Sequence, residues 1–423
     1  MGYQTVARGD AGAVRAGASA RIGGTRVFER LADACLAAYI LTIYIWADGE
    51  ETVRYSTLLC LASMVFMLLA LLPRHALIVT PPVACMFLFV GFCIASVLWA
   101  RDPGRSLTMA LRTLPLLAIF GFTLYNYAIW LKKVPLLFNL VYAAGVVLAV
   151  YTIFIEGGLG AYVQLLFDGV RAGAEVNNVN TIGLAAGTSA LIAFGCVYRR
   201  RKWVHLLPFA LCVFVALGTG SNKAVVLIVT GCVLILMLSA YQNGTLWAFL
   251  KVAFAVAALA LVVWFLLQLP IFTTISHRIE GTVNAFLGQG RIDGSASVRI
   301  ELSAAGMEQF AKTPLLGIGI NNGALVASDA VGHDYYLHNN YVELLAGVGI
   351  VGTVLFYAMF LLPMVKIARE MKKDAWVTVV VVAVLLGWLF IQVGVVCYYS
   401  KMTYVYFALA AAMAYGAPCA ERV

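Results

Sequence analysis

Charged side chains are scarce in this chain. Asp, Glu, Lys and Arg make up 12% of its 423 residues, about half the share usual in a soluble domain. Apolar residues make up 63%, more than a soluble core of this size needs, and a bilayer accommodates the surplus. Also missing are a CxxC pair, a His/Cys cluster and an Asp-rich motif in the segments assigned below to the outside. Of the nine cysteines, Cys35, Cys60, Cys85, Cys93, Cys196, Cys212, Cys232 and Cys419 lie in apolar segments or at the C-terminus, and Cys397 alone comes near the outer face. Neither a disulfide framework nor a zinc site is expected. Internal repeats and low-complexity stretches are absent as well, so one domain is the simplest reading.

What is present is a series of long apolar runs. A span needs about 20 apolar residues, and reading on that basis gives twelve: 28–47, 55–73, 82–100, 106–128, 136–156, 181–198, 206–221, 224–242, 252–272, 341–365, 376–396 and 404–418. The first follows an Arg-rich start (Arg8, Arg15, Arg21, Arg26, Arg30) with no small-x-small cleavage site after it, so it reads as an uncleaved span. The pair around Ser221, Asn222 and Lys223 forms either a hairpin tip or a broken helix. The expected fold is an all-α integral membrane protein of about twelve transmembrane helices. It divides into a basic cytoplasmic N-terminus (1–27), nine spans (28–272), a long outside loop (273–340), three further spans (341–418) and a cytoplasmic tail (419–423).

The net charge of +9 does not form a nucleic-acid patch, because it is distributed over short loops on alternate sides. With a cytoplasmic N-terminus, 18 of the 29 basic residues fall inside and ten outside, with Arg112 within a span. The inside loops are also the shorter ones, so both termini are expected in the cytoplasm. The segment 273–340 is too long to be a simple connection. Ile275, Ile279, Val283 and Phe286 recur as one stripe of an amphipathic helix, ended by Gly288 and Gly290. A second helix is expected from Ser297 to Lys312, stopped by Pro314. A shorter outside segment, 157–180, also reads as ordered.

Residues able to do chemistry gather on the outside. His338 lies where the long loop enters span ten, and Asn339 or Asn340 can cap that helix. A helix N-terminus carries partial positive charge, which keeps an imidazole neutral, as a general base must be. The same helix end can hold a phosphate oxygen. On the residues alone, a capping or packing role for His338 stands beside the catalytic one. His333, Asp334 and His338 do not have the spacing of a helical metal pair and read as solvated loop residues. Arg171, Lys223 and Arg299 are the cations suited to a diphosphate ester, Arg as a fork and Lys as a point charge. Lys223 is the most informative, since a charge between two apolar spans is costly unless paired or functional. Arg278, Lys312 and Lys401 read as snorkelling or solvated. Arg112 needs a carboxylate or a wet cavity, with Asp102 as a candidate partner. Residues 347–352 spell G-x-G-x-x-G, but the strand and βαβ unit of a dinucleotide site are missing, and close helix packing by small residues explains them better.

These residues carry a family resemblance. Leu337-His338-Asn339-Asn340-Tyr341-Val342-Glu343 through Gly349-Ile350-Val351-Gly352 resembles the H-N-x-x-L-x-x-x-x-x-x-G-x-x-G signature of the O-antigen ligase and Wzy-type polymerase superfamily, with Tyr341 where Leu is usual. Ser297-Val298-Arg299 and Pro314-Leu315-Leu316-Gly317-Ile318-Gly319 resemble its R…P-L-x-G-x-G segment. Arg171-Ala172-Gly173 with Asn177 and Asn180 resembles its outer loop, and residues 99–103 resemble its early W-S-x-D-P. Lys223 follows Ser221-Asn222 where the family shows Ser-Arg. The resemblance implies a GT-C-like glycosyltransferase at the periplasmic face of a Gram-negative inner membrane, without metal or nucleotide. The implied donor is a glycan on undecaprenyl diphosphate, and the implied acceptor is a sugar hydroxyl of lipid A–core. It further implies His338 as base, with Arg171, Lys223 and Arg299 on the diphosphate. Arg112, Arg291, Asn180 and Asn339 are possible supporting residues. A Wzy-type polymerase would share fold and donor but usually shows two large outside loops, and a protein O-oligosaccharyltransferase usually carries a further soluble region. A twelve-span secondary transporter would show related halves and a midplane site, whereas here the halves differ.

Overall fold

A computed structural model describes residues 10–46, 50–74, 77–287, 294–370 and 376–416, and these contain seventeen α-helices and no strand. The helices are α1 (Asp10–Ile45), α2 (Glu50–Leu71), α3 (Pro81–Ala95), α4 (Pro103–Thr108), α5 (Leu114–Trp130), α6 (Val134–Ile155), α7 (Leu159–Phe167), α8 (Val179–Arg200) and α9 (Leu206–Gly218). They continue as α10 (Asn222–Asn243), α11 (Leu246–Gln268), α12 (Thr273–Leu287), α13 (Gly294–Lys312), α14 (Gly323–Val331), α15 (Asn340–Arg369), α16 (Trp376–Ile391) and α17 (Lys401–Tyr415). Gly288, Gly290, Arg291, Lys372, Lys373, Cys419 and Arg422 lie outside the described residues.

A helix lies over each of the twelve expected segments. Eight helical stretches are long and apolar enough to cross a membrane, and Trp203–Gly218 and Trp376–Ile391 are shorter apolar helices. α1 and α17 stand outside this set for different reasons. α1 carries Arg26, Glu29, Arg30 and Asp33 at the start of its apolar half. α17 has 15 residues and is buried from Thr403 to Ala414, so protein rather than lipid surrounds it.

The ends of the helices follow from local chemistry. Pro81 and Pro82 occupy the first positions of α3, where a missing N–H costs nothing. Asp102 caps α4 by accepting from the Gly104 and Arg105 amides. The expected fourth span is interrupted by a π-turn, Met109–Thr113, because Pro115 just beyond it cannot donate into the helical ladder. Gly244 closes α10 in the left-handed region, at φ +63°.

One apolar core joins the bundle, with α15 against α3 and α17, α17 against α5, and α10 against α8 and α16. Phe89, Phe120, Phe356, Phe360 and Phe407 are fully buried within it. α11 is the exception, packing mainly on α10 with only 6% of its apolar window buried. The long segment after α11 is helical, as expected, but not quite as the stripe suggested. Ile275 is buried and Ile279 half-buried, whereas Val283 is 48% exposed and so lies off the packed face. α13 starts at Gly294 and ends before Pro314. α14 has no counterpart in the expectations.

Candidate functional site

The loops between α6 and α8, α9 and α10, α11 and α15, and α16 and α17 emerge at one end of the bundle. Their frame is a break in α15. Gly349 has φ +61° and ψ −168° inside that helix, a conformation open essentially to glycine alone. Residues 314–318 enter the break: Ile318 donates its N–H to the Ala346 carbonyl (3.0 Å), and Ile350 donates to Pro314 (2.9 Å). A Cβ at Gly349 would run into the Leu315 carbonyl, and one at Gly317 into Gly347. Gly347 and Gly349 thus serve the close approach of a turn segment, while Gly352 faces Phe92 of α3, the helix packing expected of the stretch. Residues 99–106 tie in from the other side. Trp99 donates Nε1–H to the Leu316 carbonyl, Arg101 its N–H to Ile318, and Ser106 its hydroxyl to Ile320. Asn322, fully buried, accepts the Asp102 N–H at 2.8 Å.

On this frame sits a small apolar core of Leu302, Ile318, Val326, Ala327, Leu337, Val342 and Ala346, joining α13, α14 and the start of α15. It fixes His338 from one side. Leu337 is fully buried, and its N–H donates to the Glu343 carboxylate at 2.9 Å. Glu343 is 5% exposed and lies against Gly323, where any side chain would displace it. On the other side Asn339, not Asn340, caps α15 by accepting from the Tyr341 and Val342 amides. Asn340 is buried, donating to Gln392 and Tyr357 and accepting from the Cys397 and Tyr398 amides. Between these anchors His338 adopts φ +57°, a conformation that costs a non-glycine residue about 1–3 kcal/mol and persists where its surroundings impose it. Its Nδ1 is buried with no hydrogen-bond partner. Burial first, and the charges of Arg299 and Lys223 second, push its pKa from 6.5 down to about 4, so the imidazole is neutral at physiological pH.

Four cations from four elements surround this histidine's neighbourhood. Lys223 stands in the first turn of α10, after a hairpin tip at Gly220 (φ +60°), and Arg171, Arg278 and Arg299 all lie within its electrostatic reach. Arg171 is aimed by its own hydrogen bonds, Nε–H to the Thr219 carbonyl (2.8 Å) and an NH2 proton to Asn180 Oδ1 (3.2 Å). Its loop is held by Glu156, which accepts the Gly173 N–H at 2.6 Å. Arg278 is presented by α12, which Asn222 fastens to α10 through the Arg278 carbonyl and the Thr282 hydroxyl. The Arg278 Nε–H is buried and without a partner. Among the described residues, Lys223, Arg278 and Arg299 form no ion pair with a carboxylate. Mutually repelling, partly buried cations are stabilised by an anion placed among them. Beneath the Lys223 turn lies an apolar crevice lined by residues that include Val213, Leu217, Val225, Ile228, Leu266 and Phe272.

The structure therefore groups His338, Arg171, Lys223, Arg299, Asn180 and Asn339 at one end of the bundle. Arg112 is elsewhere, exposed on the π-turn. Its suggested partner Asp102 forms its ion pair with Arg105 instead. Arg291 lies outside the described residues. Asp334 pairs with Arg105 at 2.6 Å, and the His333 ring leans on Tyr335. Arg278, which read as a snorkelling cation, is the residue that sequence reasoning missed. Its signal was helical phase: it shares a face with Ile275, Ile279 and Thr282. Glu343 carried no signal, since its work is to hold an amide six residues upstream.

Over residues 207–357 the chain matches the family model described as O-antigen ligase. That stretch contains Lys223, Arg278, Arg299 and His338, and the match shows the resemblance to the O-antigen ligase and Wzy-type superfamily over this region. No curated protein matches the chain.

Proposed function

We propose that this chain, bearing an O-antigen ligase domain, is a glycosyltransferase that moves a glycan from undecaprenyl diphosphate to a sugar hydroxyl of lipid A–core. We place the reaction at the periplasmic face of a Gram-negative inner membrane, in a GT-C-like fold of about twelve spans with both termini cytoplasmic. One observation carries the reading: a neutral, half-buried imidazole stands within electrostatic reach of Arg299 and Lys223, which form no ion pair with a carboxylate among the described residues. The family domain supports a ligase or polymerase activity in general.

The chemistry follows from the charges. His338 takes the proton of the acceptor hydroxyl, and that oxygen attacks the anomeric carbon. The bond from that carbon to the diphosphate oxygen breaks, and the electron pair leaves on the diphosphate. Arg171, Lys223, Arg278 and Arg299 hold the charge that develops there, as donors fixed in place before the reaction. A single displacement inverts the anomeric centre. The apolar crevice beneath Lys223 suits the adjoining lipid chain. The proton on His338 then passes to water.

The test is product analysis with purified protein, undecaprenyl-diphosphate glycan and EDTA, with and without lipid A–core. Glycan on the core only when core is supplied is the expected result. Glycan that lengthens on its own lipid without core would make the chain a polymerase on the same site. His338→Ala is expected to lose roughly 10²–10⁴-fold in turnover, and near-normal turnover would remove His338 from the role of base.

A further inference from the structure

Two aromatic rings beside His338 have no part in the scheme so far. Tyr335 and Tyr336 are 46% and 43% exposed, and the Tyr336 ring centroid lies 4.1 Å from that of His338, tilted by 47°. Most other exposed aromatics in this chain lie on apolar helices, where lipid covers them. These two lie in the coil between α14 and α15, and that coil is pinned at both ends. Upstream, Asp334 is held by Arg105, and the Tyr335 N–H donates to the His333 carbonyl. Downstream, Leu337 is buried in the small core. The rings are therefore presented by fixed backbone beside the imidazole.

A flat aromatic face with a polar edge is what a pyranose ring recognises, its axial C–H bonds lying on the π-cloud while its hydroxyls reach nearby donors. The cations take the diphosphate side of the reaction, and Tyr336 touches the base that must receive the acceptor's hydroxyl proton. We infer that Tyr335 and Tyr336 form the stacking platform for the acceptor sugar, placing its hydroxyl on His338. This assignment rests on the transferase reading above.

The kinetic test varies acceptor and donor separately with the full-length protein in lipid nanodiscs. Tyr336→Ala, and more so Tyr335→Ala combined with it, are expected to raise the acceptor KM about tenfold and to leave the donor KM within about twofold. Tyr336→Phe should restore the acceptor KM, because the ring rather than the hydroxyl stacks. A raised donor KM, or an acceptor KM unchanged in the double variant, overturns the platform. The second result is what two tyrosines anchored at a lipid headgroup surface would give. A fall in kcat alone also overturns it, because the rings would then only position His338. A binding measurement keeps the inference separate from the transferase reading. Saturation-transfer NMR with delipidated core oligosaccharide, without donor, should show ring-proton signals for the wild type that the double variant lacks. Equal signals from both proteins, or none from either, overturn the platform whatever the turnover assay shows.

Discussion

His338 concentrates three constraints in one residue: a left-handed backbone, an unsatisfied Nδ1 and two neighbouring cations. Its titration reports the burial and the two cations. The folded-state pKa of about 4 lies below the ordinary 6.5, so the base stays competent until about pH 4. The acid limb of kcat/KM, which reports the free enzyme, is therefore expected near pH 4 instead of near 6.5. Arg299→Gln relieves part of the repulsion and should move that limb upward, while the donor KM rises. A limb that stays near 4 in this variant would mean that Arg299 does not act on the imidazole. The sign for stability is the same: between pH 6.5 and about 4 the unfolded chain binds this proton and the folded chain does not, so stability falls as pH drops through that window. Glu343 is predicted to act through the neighbouring amide. Glu343→Gln keeps an oxygen acceptor for the Leu337 N–H and should retain activity within about threefold. Glu343→Leu should lower kcat roughly ten- to a hundredfold, the scale of a misplaced reacting group, and move the acid limb towards 6.5 as the loosened imidazole becomes wetter. If the Gln variant behaves as badly as the Leu variant, the carboxylate charge matters and the hydrogen bond alone does not explain it.

Among the elements, the broken α15 does the most to shape the site. An unbroken helix would give the Ala346 carbonyl back to the Ile350 N–H, leaving the Ile318 N–H and the Pro314 carbonyl without the partners they have here and the small core without its floor. Gly349→Ala combines a non-glycine residue at φ +61°, ψ −168° with a Cβ against the Leu315 carbonyl. It is expected to cost about 1–3 kcal/mol for the backbone alone, with the clash in addition. Thermal unfolding in detergent should show a clear drop in Tm, and an unchanged Tm would mean that the break closes without it. Here the limits of sequence reading are plain. The helices over the apolar runs were legible because hydropathy reports burial in lipid directly, and His338 and Lys223 because a titratable side chain at the mouth of an apolar span is rare. The break was not legible, because G-x-G-x-x-G has the same composition whether it receives a helix or a turn of backbone. Arg278 was misread because a cation on an amphipathic helix looks solvated until the partner of that helix is known. The fastening of α12 to α10 through Asn222 joins residues 56 and 60 apart in sequence, and periodicity is blind to such contacts.

At the scale of the whole molecule, charge is divided between two ends. Arg171, Lys223, Arg278, Arg299 and His338 lie at one end, while Arg199 and Arg200 close the far end of α8 and Arg201 and Lys202 follow it. At that far end Lys133 also ties the bundle together, meeting Glu29 and Asp33 at 2.7 Å each. The basic, short-looped end is the one the positive-inside rule puts in the cytoplasm. On the proposed function the site then faces outward, where a glycan already moved across the membrane and a core already on its lipid A would meet. The orientation can be measured without any turnover. Glu175 and Lys202 are both exposed, and they lie in loops before and after α8, so a single crossing separates them. The eight described cysteines are buried or half-buried, which keeps background labelling low. In intact spheroplasts, Glu175→Cys should react with a membrane-impermeant maleimide, and Lys202→Cys should react only after permeabilisation. The reverse pattern would put His338 on the cytoplasmic face and sink the periplasmic reaction, whatever the purified enzyme transfers. Equal labelling of both positions would mean that α8 does not span, and the twelve-span arrangement would have to be redrawn around it.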